Sequence, residues 1–107
     1  MKKHNLHYTA AARRDLDDIY DHIAAELSSP IAAGTTIDRI MDEVDRLETF
    51  AEIGPLLSSI ADVDDTYRFL VSGSYMIFYR VDGENIYIDR ILYGRRDYLR
   101  LFDPPNA

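Results

Sequence analysis

The 107-residue sequence contains no cysteine, so it can form neither a disulfide nor a thiolate metal site. No apolar run approaches the roughly 20 residues that a membrane-spanning helix needs. The basic start of the chain, residues 1–7, leads into no hydrophobic signal region. These absences predict a soluble cytoplasmic protein that does not bind a membrane.

The familiar signatures of catalysis are also missing. The sequence holds no nucleophile elbow, no phosphate-binding loop and no dinucleotide fingerprint, which argues against ordinary hydrolases, kinases and dehydrogenases. Its three histidines (His4, His7 and His22) do not fall at metal-ligand spacing. The aspartates of the first predicted helix point in several directions, as on a solvated face. We therefore expect no metal and no cofactor.

Charge is distributed unevenly along the chain. The net charge of −7 argues against a nucleic-acid binder. Residues 1–65 carry 6 basic and 14 acidic side chains, whereas residues 66–102 carry 6 arginines, no lysine and 4 acidic side chains. Arginine binds carboxylates, phosphates and aromatic faces with a fixed geometry that lysine lacks. The second half is therefore the better place to look for a binding surface.

The first half of the chain has helical periodicity. A short extended segment at residues 5–8 precedes Thr9, which can cap a helix, and apolar residues then recur at helical spacing up to Leu27. Ser29 followed by Pro30 is a second helix start, and the helical pattern then continues to about Phe50. So short a link predicts an antiparallel helical hairpin.

The second half has the alternation of β-strands. After a loop at residues 51–65, three segments rich in aromatic and β-branched residues occupy 66–71, 75–81 and 86–93. Ser72-Gly73-Ser74 and Asp82-Gly83 connect them, with Glu84 and Asn85 as a candidate extension of the second turn. The predicted order is β-α-α-β-β-β, a single α+β domain over residues 1–107 with a helical hairpin on a small, mostly antiparallel sheet.

Two strand arginines need an explanation, because apolar residues surround them. We expect Arg80 and Arg90 either to reach the sheet edge with their heads in solvent or to pair with a carboxylate, and Asp89 is a local candidate. Arg95, Arg96 and Arg100 follow the last strand, where they form either a solvated helix start or a working surface.

The closing stretch resembles a motif of the RelE/ParE toxin superfamily. Residues 90–97, RILYGRRD, are similar to its strand running into a His-Gly-Arg-Arg-Asp-like turn, with Tyr93 at the place of the histidine. Further motifs occur in the family's order: Tyr8, the pattern A-x-x-D-L-x-x-I-Y from Ala12 to Tyr20, Gly54-Pro55, T66-Y-R-F and Y75-M-I-F-Y-R. The resemblance covers almost the whole chain. It implies the toxin of a type II toxin–antitoxin pair, neutralised by a cognate antitoxin, with oligomerisation through the antitoxin left open.

The family divides by cellular target. RelE-like members cut mRNA on the ribosome with basic residues and a C-terminal tyrosine, and the resemblance carries these roles to Arg68, Arg96 and Tyr98. Leu70 and Met76, however, stand where such nucleases have Lys and Arg, and Phe102 stands near the tyrosine's place. ParE-like members instead inhibit DNA gyrase by binding, without a catalytic site.

The resemblance favours the ParE-like branch, because of the arginine-rich closing turn and the Asp-Leu-x-x-Ile pattern of the first helix. The alternatives are a ribosome-dependent mRNA endonuclease and a toxin fold that has lost toxicity. We expect the surface for the antitoxin or the target to be formed by six residues: Arg68, Arg80, Arg95, Arg96, Tyr98 and Arg100.

Overall fold

The computed structural model describes residues 3–94 of the chain. Its elements follow the predicted order: β1 Asn5–Tyr8, α1 Ala10–Glu26, α2 Pro30–Asp45, β2 Arg68–Ser72, β3 Tyr75–Asp82 and β4 Asn85–Tyr93. Two short 3₁₀ turns, Arg46–Glu48 and Leu57–Ser59, were not predicted, since three residues are too few to show a period. Within this range neither helix has both the length and the apolar character to cross a bilayer.

Both helices begin where the sequence predicts. The Thr9 hydroxyl accepts a hydrogen bond from the Ala12 N–H, and the Ser29 hydroxyl accepts one from the Ala32 N–H, each at 3.1 Å. These bonds satisfy amides that the first helical turn leaves without a partner. Pro30 follows its cap at the first helical position.

The four strands form one mixed sheet in the order β1-β4-β3-β2. β2, β3 and β4 make an antiparallel meander, and β1 lies parallel to β4. Gly73 and Gly83, with φ of +58° and +61°, each stand first in a two-residue turn, a place that favours glycine. Asn85 pairs with Asp82, so it belongs to β4 rather than to an extended turn. The α+β architecture predicted from sequence is thus confirmed.

Apolar residues pack on both faces of the sheet. The larger core lies under the helical hairpin and includes Ile40, Val44, Leu47, Leu70, Ile77, Tyr79, Ile86, Ile88 and Ile91. A smaller core of Leu57, Met76 and Phe78 lies on the opposite face, under the loop at 51–66. Strand alternation accounts for this division in β2 and β3.

One glycine fixes that loop to the sheet. The Gly54 N–H donates to the Tyr79 hydroxyl at 3.0 Å, and Arg68 Nη1 donates to the Gly54 carbonyl at 2.8 Å. A methyl group on Gly54 would collide with the Phe69 carbonyl oxygen and with the Tyr79 hydroxyl. Only glycine lets the two backbone segments approach this closely.

We expect Gly54→Ala to lower the free energy of unfolding by about 1–3 kcal/mol, because the loop must move away from β2. Gly34→Ala is the matched control: it lies in α2, and apart from its chain neighbours and the backbone of its own helix no atom lies within 4 Å of the added carbon. The control should be neutral or stabilising by up to about 1 kcal/mol. Urea unfolding followed by circular dichroism measures both, and equal stability of the two variants would contradict the packing described.

Burial of Tyr8 makes the stability of the fold depend on pH in the alkaline range. Its hydroxyl is buried and has no hydrogen-bond partner among residues 3–94. Burial, with a smaller contribution from the charge of Asp45, raises the pKa of Tyr8 from 10.0 to about 12. A pKa higher in the folded than in the unfolded chain means that folding favours the neutral phenol. This contribution to stability is complete below pH 10 and is lost as the pH rises through about 12.

Accordingly, Tyr8→Phe should weaken the fall of unfolding free energy between pH 10 and 12. Urea unfolding at several pH values across this range measures the slope for the variant and the wild type. Tyr20→Phe, at an exposed position on α1, is the control and should keep the wild-type slope. An unchanged slope for Tyr8→Phe would refute the assignment.

Candidate partner-binding surface

Arg80 lies in a polar cluster on the sheet face opposite the helices. Its Nε donates to Asp89 Oδ2 at 2.8 Å, and its guanidinium lies 4.4 Å from the centre of the Tyr87 ring. The hydrogen bond to Asp89 raises the pKa of Arg80. Burial, assisted by the charge and hydrogen bond of Asp89, raises the pKa of Tyr67. Of the two alternatives that the sequence left for Arg80, the structure shows the pairing with a carboxylate, and Asp89 is that partner.

The cluster extends across three strands. His7 of β1 stacks on Tyr87 of β4, with ring centroids 5.1 Å apart and planes at 22°. His7 Nε2 also lies 2.9 Å from Asn85 Oδ1. His7, Tyr87 and Arg80 occupy directly paired positions, so they form a row across the open part of this face. Sequence reasoning treated His7 as part of the chain's start and did not connect it to the arginines.

Arg68 lies elsewhere. It is opposite Tyr79 in the β2–β3 register, and Tyr79 packs in the core beneath the helices. Its Nη1 donates to the Gly54 carbonyl at 2.8 Å and, at 3.4 Å, to the Glu52 carbonyl. Arg80 follows Tyr79 in the strand and therefore faces the other way. The structure thus places Arg68 and Arg80, expected on one surface, on opposite faces of the sheet.

Two positions of interest for RNA cleavage are apolar and buried. Leu70, only 8% exposed, packs in the core under the helices. Met76, only 6% exposed, packs in the smaller core beneath the loop. A charged side chain at either position would have to displace close-packed apolar neighbours.

Arg90 has a partner that sequence reasoning did not find. Its Nε and Nη2 donate to the two carboxylate oxygens of Asp15 on α1, at 2.8 and 3.0 Å. This hydrogen bonding raises the pKa of Arg90. Asp15 Oδ2 also accepts the Ile91 N–H at 2.9 Å. The Asp-Leu-x-x-Ile pattern of the first helix contains this partner. Asp15 points at the sheet, whereas the sequence predicted a solvated face for the aspartates of this helix.

The remaining predicted site residues, Arg95, Arg96, Tyr98 and Arg100, lie outside the described residues, as does Phe102. Tyr93 is the last strand residue before them and is 62% exposed. Its ring meets the Tyr75 ring edge-on, with centroids 5.5 Å apart. In the described part of the chain, no three histidine, aspartate or glutamate side chains converge in a group that could hold a metal.

A family model described as the ParE toxin of the type II toxin–antitoxin system parDE matches residues 6–98. The chain belongs to the ParE toxin family. No sequence in a comparison with curated proteins matches it significantly. The match confirms the superfamily and the ParE-like branch that the closing motif indicated.

Solved structures agree with the family assignment. The chain is similar to a structure described as a chromosomal ParDE toxin–antitoxin system from P. aeruginosa, with a TM-score of 0.73 and 29% identity over 87% of this chain and 98% of that one. It also shares its fold with a chain of the toxin–antitoxin complex RelBE2 from Mycobacterium tuberculosis, with a TM-score of 0.55 and 18% identity over 85% and 98% of the two chains.

We expect Asp15→Asn to lower the free energy of unfolding by about 2 kcal/mol, because it removes the charge that holds Arg90 in a partly buried site. Asp17→Asn, an exposed change on the same helix, should alter it by less than about 0.5 kcal/mol. Urea unfolding of the single variants, of Arg90→Gln and of the double variant gives the coupling energy. Additive effects would show that the two side chains do not interact.

Proposed function

We propose that this ParE-family protein is an active type II toxin of the bacterial cytoplasm, neutralised by a cognate antitoxin and acting on DNA gyrase by binding. The family match over residues 6–98 carries the proposal. The ParDE structure that shares 29% of its sequence supports the same partnership, because its description is that of a toxin–antitoxin system.

Burial at two positions supports binding over RNA cleavage. RelE-like nucleases place cations where this chain has Leu70 and Met76, and both side chains lie in apolar cores. Arg68 is held by backbone carbonyls at the edge of the sheet. These three positions therefore supply no convergent set of cations to steer a phosphate or stabilise its developing charge. Inhibition by binding to a macromolecule requires no convergent set of cations.

Arg80 is the described arginine best placed for a partner. Asp89 holds its Nε, and no acceptor among residues 3–94 bonds its Nη1 or Nη2. The side chain is 38% exposed. A guanidinium fixed in this way presents its outer donors at low entropic cost to a carboxylate of the antitoxin or target. We propose that Arg95, Arg96, Arg100 and Tyr98 extend this surface.

Expression of the toxin without its antitoxin should arrest growth, and the purified protein should inhibit gyrase supercoiling without cleaving ribosome-bound mRNA. Arg80→Ala should weaken inhibition by about tenfold, as expected for a truncated charged contact of 1–2 kcal/mol. Arg39→Ala, at an exposed position on α2, is the matched control and should keep full activity.

Two outcomes would overturn the proposal. Normal growth despite abundant folded protein would show a toxin fold without toxicity. Cleavage of ribosome-bound mRNA that is lost in Arg96→Ala would instead establish the endonuclease, because a gyrase binder has no reason to cut RNA.

A further inference from the structure

The outer edge of β4 is open beyond the end of β1. β1 pairs with residues 85–88 only, whereas β4 continues to Tyr93. The Ile91 N–H points to this outer side, where Asp15 accepts it. Gly94 N–H bonds Ser74 on the β3 side, so by strand alternation the Tyr93 N–H and C=O point outward as well. Among residues 3–94 no backbone group pairs with this part of the edge.

A groove of about 670 Å³ runs along this edge, between β4 and the second half of α1. Ile19, Ile23 and Leu27 line it on the helix side, and Leu27 is 64% exposed. Tyr75 and Tyr93 form its far end. Within residues 3–94 the groove therefore combines strand backbone that has no partner with apolar side chains, the combination that a sheet uses to accept an added strand.

The rim of the groove is acidic. Asp18 and Glu26 stand on it two helical turns apart, and neither has a salt bridge among the described residues. Arg90 is the single Lys or Arg in the described lining, and Asp15 already neutralises it. A strand with basic side chains toward this rim would complement it, whereas an acidic strand would be repelled.

We propose that this groove, named here the β4-edge groove, binds an extended basic polypeptide segment of a partner protein as an additional strand on β4. The Tyr93 N–H and C=O would hold its backbone, and Ile23 and Leu27 would contact its apolar side chains. Asp18 and Glu26 would pair with its lysine or arginine side chains. This inference rests on the edge, the groove and their charge, and it does not depend on toxicity or on gyrase.

A synthetic peptide tests the proposal directly. Acetyl-Thr-Val-Arg-Val-Lys-Ile-amide is titrated into the isotopically labelled full-length chain, and amide shifts are followed by NMR. We expect shifts at Ile91 to Tyr93 and along the second half of α1. An acidic twin with Glu and Asp in place of Arg and Lys should bind at least about tenfold more weakly, since attraction to Asp18 and Glu26 is replaced by repulsion. A backbone N-methylated twin should not bind.

Two matched pairs of substitutions test whether the acidic rim of the groove causes the preference for the basic peptide. The pair Asp18→Asn and Glu26→Gln should weaken binding of the basic peptide and leave the acidic twin no weaker. The pair Asp17→Asn and Asp21→Asn, exposed on α1 but outside the groove, should leave the preference for the basic peptide intact. Both variant proteins remove two exposed charges, so a general effect of net charge would weaken binding equally.

The proposal would be overturned if no amide shifts at about 1 mM peptide, since binding would then be weaker than a Kd of about 1 mM. Equal affinity for the basic and acidic peptides, or equal weakening by the two variant pairs, would also overturn it. So would shifts confined to the β2 edge around Val71. None of these readouts measures growth or supercoiling, so failure of the groove and failure of the toxin proposal are distinguishable.

Discussion

The Asp15 carboxylate is the interaction on which the arrangement of helices and sheet depends. β1 is only four residues long, and the chain turns into α1 immediately after it. Without β1 alongside, the next outward amide of β4, that of Ile91, would lack a partner. Asp15 accepts that amide and also accepts hydrogen bonds from two nitrogens of the Arg90 guanidinium, Nε and Nη2. One side chain thus sets the position of α1 along β4, and with it the depth and charge of the β4-edge groove.

Much of the fold could be predicted from local signals. Thr9, Ser29 and Pro30 mark helix starts because capping depends only on neighbouring residues. Gly73 and Gly83 mark the turns, since each turn needs a positive φ that other residues resist. The β2–β4 meander follows from alternation and short connections. The parallel pairing of β1 with β4 joins segments about 80 residues apart, and no local pattern encodes such a contact.

The candidate site was less predictable, because it depends on register. β4 carries a bulge at Asp89, where pairing passes from Phe78–Arg90 to Tyr79–Ile88. The extra residue shifts the alternation of β4 beyond it. Asp89 could be identified as a candidate partner because it lies in the strand next to Arg80, whereas Asp15 lies 75 residues before Arg90 on a helix that no local pattern places against β4. The separation of Arg68 from Arg80 follows from their registers against Tyr79, which only the paired strands reveal.

The exposed sheet edges and the net charge of the chain together bear on how the protein binds a partner. A sheet edge is a liability that isolated proteins usually protect with lysine, proline or a covering segment. Here the loop covers β2 at Phe69, through the Pro55 carbonyl, but leaves Val71 exposed, and no backbone group of residues 3–94 pairs with the outer edge of β4 beyond Asp15. Residues 3–94 carry 8 basic and 17 acidic side chains, a balance of −9 that keeps copies of the chain apart. Such a molecule discourages pairing with itself while leaving two strands available to a partner of opposite charge, which is the arrangement expected of a toxin controlled by binding.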